Sequence, residues 1–184
     1  LWNHRLFLAA GEARYIDVLE RALYNGALAG LSLSGDKFFY PNPLQADGRR
    51  RFNHGANRRV GWFGCPCCPV NLVRVIPQVP GLLYATTDDS VWVNLFAAGR
   101  GELAVGSRKL TLTQETDYPW SGRVTIIVDP GDAPIELTLR VRVPGWALGR
   151  PVPGDLYRYA DTDTAGPPVT LKVNGRPTRV VMEK

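Results

Sequence analysis

Proline divides this chain into two unequal parts. The first forty residues contain none, while the remaining 144 contain all fifteen prolines. Proline lacks a backbone N–H and disrupts the interior of a helix. We therefore expect the longer helices at the start of the chain and a different architecture further along.

Apolar spacing before residue 31 predicts two helices. The first is expected to end at Gly11, which interrupts the apolar repeat. The second is predicted from Ala13 to about Ala29, with Asp17 and Arg21 forming an ion pair one turn apart on its polar face. Gly30 follows as the expected end of this helix.

The middle of the chain, residues 31–81, is predicted to be mostly loop with one further helix. Residues 31–64 show no sustained apolar period. A helix is expected to begin near Pro69, since proline suits the first helical turn. Pro77 and Pro80 are expected to stop it.

From residue 82 onward the sequence predicts β-structure. Several runs alternate apolar and polar residues, which is typical of half-buried antiparallel strands, and Asn174-Gly175 predicts a tight hairpin. Eight short strands favour an antiparallel β-sandwich and an α+β fold class. The predicted strands are residues 82–86, 91–96, 102–106, 109–115, 123–129, 135–143, 169–173 and 178–182.

The net charge of +5 raises the possibility of a nucleic-acid-binding protein. The excess lies mainly in two arginine clusters, Arg49–Arg51 and Arg58–Arg59. Arginines in a loop can hold phosphate, but no RNA- or DNA-reading motif accompanies them. A solvated loop is the favoured interpretation, and neither a nucleic acid nor a membrane is expected as a partner, because no apolar run approaches the ~18 residues of a membrane span.

All three cysteines lie in the short segment GCPCCPVN, at positions 65, 67 and 68. A disulfide between the adjacent Cys67 and Cys68 would be strained. Thiolates are soft ligands that suit zinc, although a tetrahedral site needs four donors and this chain offers three cysteines. Three buried structural thiols and a redox site remain alternatives to a metal centre on these residues alone.

Two other side chains are functional candidates, and the two histidines are not. Glu20 borders the apolar stripe of the second helix, where a carboxylate needs a partner; a local salt bridge or a tyrosine hydrogen bond explains it as well as a substrate contact does. Tyr40 lies in the aromatic run FFYPNPL, where a tyrosine is normally a core residue with its hydroxyl satisfied. His4 is interpreted as structural and His54 as a loop residue.

Three sequence segments resemble glycoside hydrolase family 127, the bacterial β-L-arabinofuranosidases and their relatives. They are WNHRLFLAAGEARYIDVLERALYNG, FFYPNPL and WFGCPCCPVNLVRVIPQVPGLLYA, and the likeness continues through VNLFA, VPGW and LKVNG. The resemblance implies the last helices of an (α/α)6 catalytic barrel over residues 1–81. It implies an antiparallel β-sandwich domain over residues 82–184.

The same resemblance implies a chemistry for the site. The family uses a zinc-bound cysteine thiolate as the nucleophile of a retaining glycosidase. By position, Cys67 matches the nucleophile, Cys67 and Cys68 match zinc ligands, and Cys65 lies near the site without an assigned role. Glu20 and Tyr40 match positions that contact the sugar, so a β-L-arabinofuranoside-type substrate is expected.

One departure from the family pattern matters. In the family, a Glu-x-Cys segment with two further zinc ligands and the acid/base glutamate precede the position of Leu1. The chain is therefore expected to be a fragment, inactive by itself, that needs the remainder of the barrel as a partner. No secretory signal is visible, so a cytoplasmic location is expected. The alternative is a non-catalytic sandwich module, for carbohydrate binding or interdomain contact, with structural cysteines.

Overall fold

The computed structural model describes residues 1–160 and 168–183. The chain forms two compact units: Leu1–Val18 together with Leu82–Lys184, and Leu19–Gly81. Helices and small sheets are both present, so the α+β character predicted from the sequence is confirmed. None of the helices in the described part of the chain has the length and apolar character of a membrane span.

The first helix, α1, spans Trp2–Ala10. It ends at Gly11, as predicted. Gly11 has a left-handed backbone (φ +70°), and its N–H donates to the carbonyl of Phe7 at 2.7 Å. Glycine adopts this conformation without steric cost, so the helix stops there.

The second helix, α2, is shorter than predicted. It spans Ala13–Arg21 and continues as a π-helix over Ala22–Ala27 and a 3₁₀ turn over Leu28–Gly30. The predicted end of the helical path is confirmed, but the prediction of one regular α-helix is wrong. Asn25 and Gly26 have low helix propensity, so the regular hydrogen-bond ladder is weakly favoured at this point.

The third helix, α3, spans Val70–Val75 and begins directly after Pro69, near the predicted start. This α-helix ends at Val75, shortly before Pro77, as predicted. A 3₁₀ helix, which was not predicted, follows over Ile76–Leu82 and includes Pro80. Pro77 lies in the first turn of this 3₁₀ helix. The N–H groups of a first turn have no partner within the helix, so a proline there breaks no hydrogen bond.

Seven of the eight predicted strands are confirmed among the described residues. The prediction of the eighth over residues 178–182 is wrong: this strand spans Arg176–Thr178, because Asn174-Gly175 forms a tight turn and pairing starts immediately after it. The two turn residues have φ of +50° and +78°, as a type I′ hairpin requires. The strands are β1 Tyr84–Thr86, β2 Ser90–Val93, β3 Gly99–Val105, β4 Arg108–Thr116, β5 Val124–Asp129, β6 Thr138–Val141, β7 Leu171–Val173 and β8 Arg176–Thr178.

These strands form three small sheets with the orders β1-β2-β6, β3-β4-β5 and β7-β8. Four of the pairings in the described chain are antiparallel, but β2 and β6 run parallel, with Val91 opposite Leu139. The prediction of purely antiparallel pairing is therefore wrong. Alternation of side chains identifies a strand but carries no information on its direction, and the long excursion through β3–β5 returns the chain parallel to β2.

A hydrophobic core cluster draws on both three-stranded sheets. Val91 and Val93 come from β2, Leu110 and Leu112 from β4, and Phe96 from the segment between β2 and β3. On β4 every second residue is buried from Leu110 to Gln114, which confirms the predicted alternation. This core fixes the faces of both sheets.

A partly buried ion pair in the same unit replaces the pair predicted on α2. Asp17 does not pair with Arg21; its Oδ1 accepts from Arg142 Nη1 at 2.7 Å and from the Gly145 N–H at 3.2 Å. Arg142 Nε also donates to the carbonyl of Asn94 at 2.6 Å. A Cβ at Gly145 would lie 2.6 Å from Asp17 Oδ2, so only glycine fits beside this carboxylate. The spacing of residues along one helix does not reveal this pair, because the cation comes from a distant part of the chain. Asp17 and Arg142 are both largely removed from water, and such charges are stable only when they are paired.

Candidate functional site

The three cysteines lie in the loop that leads into α3. All are free thiols with exposed side chains. Cys67 is central, with its Sγ 3.9 Å from that of Cys65 and 3.8 Å from that of Cys68. Within this chain, therefore, none of the three thiols is buried.

Tyr40 brings a hydroxyl to this cluster. Its Oη lies 2.9 Å from Cys67 Sγ. The hydrogen bond from Tyr40 lowers the pKa of Cys67, and neighbouring Cys68 and Cys65 add to that effect. The same hydrogen bond raises the pKa of Tyr40 above its usual range. The tyrosine therefore stays protonated and donates, while the thiolate form of Cys67 is stabilised.

Glu20 lies on the last turn of α2 and is buried, with 5% of its surface exposed. Further along the helical path, the carbonyl of Gly26 accepts from Asn42 Nδ2 at 3.0 Å, which joins the segment after Glu20 to the loop after Tyr40. The contacts bring Tyr40 together with the cysteines. A shared site that also includes Glu20 stays a prediction.

His54 lies in a loop, as predicted, but it is part of an aromatic cluster that the sequence did not reveal. Its ring centroid lies 4.2 Å from that of Tyr40 and 5.6 Å from that of Phe63. The neighbouring Asn53 is fully buried and bonds the backbone of Tyr40. The Asn-His-Gly sequence at 53–55 is a turn signal that could have drawn attention to this loop.

The arginine clusters differ from one another. Arg49–Arg51 and Arg58 are exposed, as a solvated loop requires. Arg59 is half-buried, with its guanidinium 4.1 Å from the centroid of Phe39 and Nη2 donating to the carbonyl of Ala29 at 2.6 Å. For Arg59 the prediction of a solvated side chain is wrong. This cation binds a free carbonyl at the C-terminal end of the helical path and lies on an aromatic ring, and both contacts are favourable for a positive charge.

The cysteine pair fits part of a tetrahedral zinc site. Two sulfurs bound to one zinc at about 2.3 Å lie about 3.8 Å apart, and the Sγ atoms of Cys67 and Cys68 have this separation. Residues 1–160 and 168–183 contain no group of three or more His, Cys, Asp or Glu side chains arranged to hold a metal. The Sγ atoms of Cys65 and Cys67 have nearly the same separation, 3.9 Å. The described chain thus supplies thiol donors of suitable chemistry and not a full ligand set.

Two family models match the chain. Residues 1–81 match the catalytic domain of the GH127 β-L-arabinofuranosidases, and residues 90–184 match the middle domain of the same family. The chain belongs to glycoside hydrolase family 127. Its GH127 cysteine segment, residues 65–68, falls near the end of the catalytic-domain match.

Individual GH127 relatives agree with this assignment. A non-reducing end β-L-arabinofuranosidase of Bifidobacterium longum subsp. longum is 34% identical over 175 residues, which cover 90% of this chain and 23% of that protein. A solved GH127 β-arabinofuranosidase is 45% identical with a TM-score of 0.85, covering 98% of this chain and 27% of the other. A GH127 β-L-arabinofuranosidase from Geobacillus stearothermophilus T6 is 33% identical with a TM-score of 0.73, covering 98% and 26%. The chain spans about a quarter of the length of these relatives.

Proposed function

We propose that this chain is part of a zinc-dependent retaining glycoside hydrolase that acts on β-L-arabinofuranosides, with the thiolate of Cys67 as nucleophile. The observation that carries the proposal is the contact between Tyr40 Oη and Cys67 Sγ at 2.9 Å, in a loop with two more exposed thiols. Family membership and the names of the relatives supply the substrate class. The complete enzyme is defined as this chain together with the remainder of the catalytic domain.

The proposed reaction has two displacements at the anomeric carbon. Cys67 Sγ attacks this carbon and forms a C–S bond while the bond to the leaving-group oxygen breaks. Water then attacks the same carbon and the C–S bond breaks, which returns the thiolate and retains the configuration. A glutamic acid outside this chain gives a proton to the leaving group and then takes one from water.

Residues of this chain prepare the nucleophile and the sugar. The Tyr40 hydroxyl donates to Cys67 and stabilises its thiolate. Cys67 and Cys68 are the proposed zinc ligands from this chain. Bound zinc lowers the pKa of a coordinated thiol, so that a thiolate exists at neutral pH. Glu20 and Tyr40 are proposed to contact the sugar hydroxyls.

The proposal includes an architecture. Residues 1–81 would supply the last helices of an (α/α)6 barrel, and residues 82–184 would form a β-sandwich domain. The other zinc ligands and the acid/base glutamate would come from the remainder of the barrel, which is therefore the required partner. The enzyme is proposed to act in the cytoplasm.

Zinc content of the complete enzyme tests the metal assignment. We expect one zinc per chain by elemental analysis and its loss in Cys68→Ser, because serine is a much poorer ligand for zinc than a thiolate. Cys65→Ser is the matched control and is expected to keep the metal. A Cys68→Ser protein that retains one zinc would contradict the assignment, and a wild-type protein without zinc would support a non-catalytic module.

Activity of the 184-residue chain alone provides a separate test. We expect no turnover of an aryl β-L-arabinofuranoside, since the acid/base group and two zinc ligands are proposed to lie outside it. Release of the aryl alcohol is measured spectroscopically, with the complete enzyme as the positive control. Measurable zinc-dependent turnover by the chain alone would show that these groups are not required from elsewhere.

A further inference from the structure

A buried amide anchors the loop that faces Tyr40. Asn53 has no exposed surface, and its Oδ1 accepts from the Tyr40 N–H at 2.7 Å. Its Nδ2 donates to the carbonyls of Phe38 at 3.2 Å and Arg58 at 2.9 Å. Every polar atom of this side chain is bonded, and a fully satisfied buried group of this kind holds its surroundings in one arrangement. The backbone at Tyr40 is thereby fixed to the loop that starts at Asn53.

The next residue, His54, has a strained backbone. Its φ is +49°, in the left-handed region that residues with a Cβ seldom adopt. Such strain persists only where the surroundings enforce it, and it is found disproportionately at functional sites. Here the flanking Asn53 and Ala56 exchange two backbone hydrogen bonds of 2.9 and 3.0 Å, which close the turn around His54.

This turn presents the imidazole to the ring of Tyr40. The two ring centroids are 4.2 Å apart, and Phe63 borders the same tyrosine at 5.4 Å. Phe63 is buried, whereas His54 is exposed. The Tyr40 ring thus lies between the buried Phe63 and the exposed His54, and its hydroxyl contacts the sulfur of Cys67.

We propose that His54 is a positioning residue for the reaction: its ring, presented by the strained turn that Asn53 anchors, holds Tyr40 so that the tyrosine hydroxyl meets the Cys67 sulfur. The role is that of an aromatic surface and involves no proton transfer by the imidazole. A tyrosine side chain has other staggered rotamers, and the tilted ring contact with His54, with 52° between the two ring planes, opposes the rotation that would carry the hydroxyl away from Cys67. The inference rests on the proposed function of Cys67 as nucleophile.

Kinetics of matched variants of the complete enzyme test the role. His54→Asn keeps a residue that tolerates a left-handed backbone but removes the ring. We expect kcat to fall about tenfold or more, with KM changed by less than about twofold, because a misplaced catalytic contact slows the chemical step. His54→Phe, which keeps an aromatic ring, is expected to restore most of the lost rate. Wild-type kcat in His54→Asn, or equal losses in both variants, would overturn the proposal.

A double-mutant cycle separates positioning from a general structural effect. Tyr40→Phe keeps the ring and removes the hydroxyl, so it is expected to lower kcat by itself. If His54 acts through that hydroxyl, adding His54→Asn to Tyr40→Phe costs little further rate. Full additivity of the two losses would overturn the proposal.

Nuclear magnetic resonance of the complete enzyme examines the contact between the two rings without any need for turnover. The imidazole signal that is lost in His54→Asn identifies His54. We expect this signal to be shifted by the Tyr40 ring current, to keep its position in Tyr40→Phe and to move in Tyr40→Leu. An unshifted signal would show that the two rings are not in contact, which would overturn the proposal. A Cys67→Ala enzyme that stays active would instead overturn the proposed function and leave the signal unchanged, so the two failures are distinguishable.

Discussion

Cys67→Ala is expected to abolish hydrolysis of an aryl β-L-arabinofuranoside by the complete enzyme. Alanine has no nucleophilic atom, and removal of a covalent nucleophile costs at least about a thousandfold in kcat. The measurement is kcat/KM for release of the aryl alcohol, with circular dichroism as the check of folding. This is the largest effect that the proposed function predicts.

Cys65→Ala is the matched control for this experiment. It makes the same substitution two residues away, in the same exposed loop, on a thiol 3.9 Å from Cys67. We expect this variant to retain at least about a hundredfold more activity than Cys67→Ala, since only the nucleophile forms the bond to the sugar. Full activity in Cys67→Ala would show that another group is the nucleophile.

Arg142→Met is expected to lower the free energy of unfolding of the chain by about 3 kcal/mol, the lower end of the range for a buried pair, because it leaves the partly buried Asp17 without its cation. The Arg142 side chain is 2% exposed and that of Asp17 17% exposed. Methionine retains much of the length and apolar stem of arginine, so the loss reports the ion pair more than the packing. Urea unfolding followed by far-ultraviolet circular dichroism measures it.

Arg140→Met provides the comparison two residues earlier, on β6. Arg140 pairs with Glu183 at the surface, where the two side chains are 39% and 68% exposed. Solvent-exposed pairs contribute little, so this variant should lose no more than about 1 kcal/mol. Equal losses in the Arg142 and Arg140 variants would mean that burial adds nothing to the pair with Asp17.

Strand positions were predictable from the sequence because side-chain alternation and turn residues are local signals. Leu110 and Leu112 alternate with polar neighbours, and Asn174-Gly175 has the turn chemistry of a hairpin. The parallel pairing of β2 with β6 was not predictable, since it depends on where a long connection returns. The irregular end of the second helix was predictable only in part. Asn25 and Gly26 indicate that the α-helix is weak at this point, but they do not specify the π-helix that replaces it.

The candidate site was predictable only where a motif carries it. Cys65, Cys67 and Cys68 are conspicuous by their spacing, and the structure places them in one exposed cluster with Tyr40. The aromatic contact of His54 depends on a loop that the buried amide of Asn53 holds in place. The pattern of apolar and polar residues in the sequence does not indicate such a contact. The same holds for Asp17, whose partner lies far along the chain and not one turn away.

The parallel pairing of β2 with β6 has a consequence for the order of folding. β3, β4 and β5 follow one another through short turns, so their pairings close small loops at low entropic cost. β6 can pair with β2 only after a connection of roughly forty-five residues has been closed into a loop. This step is slower than pairing within the meander, because a long loop loses more entropy on closing than a short one. During synthesis the three-stranded meander can therefore form first. The pairing of Val91 and Val93 with β6 forms only after β6 has been synthesised. Until then one edge of β2 stays unpaired, and a nascent chain is open to proteolysis or association at that edge.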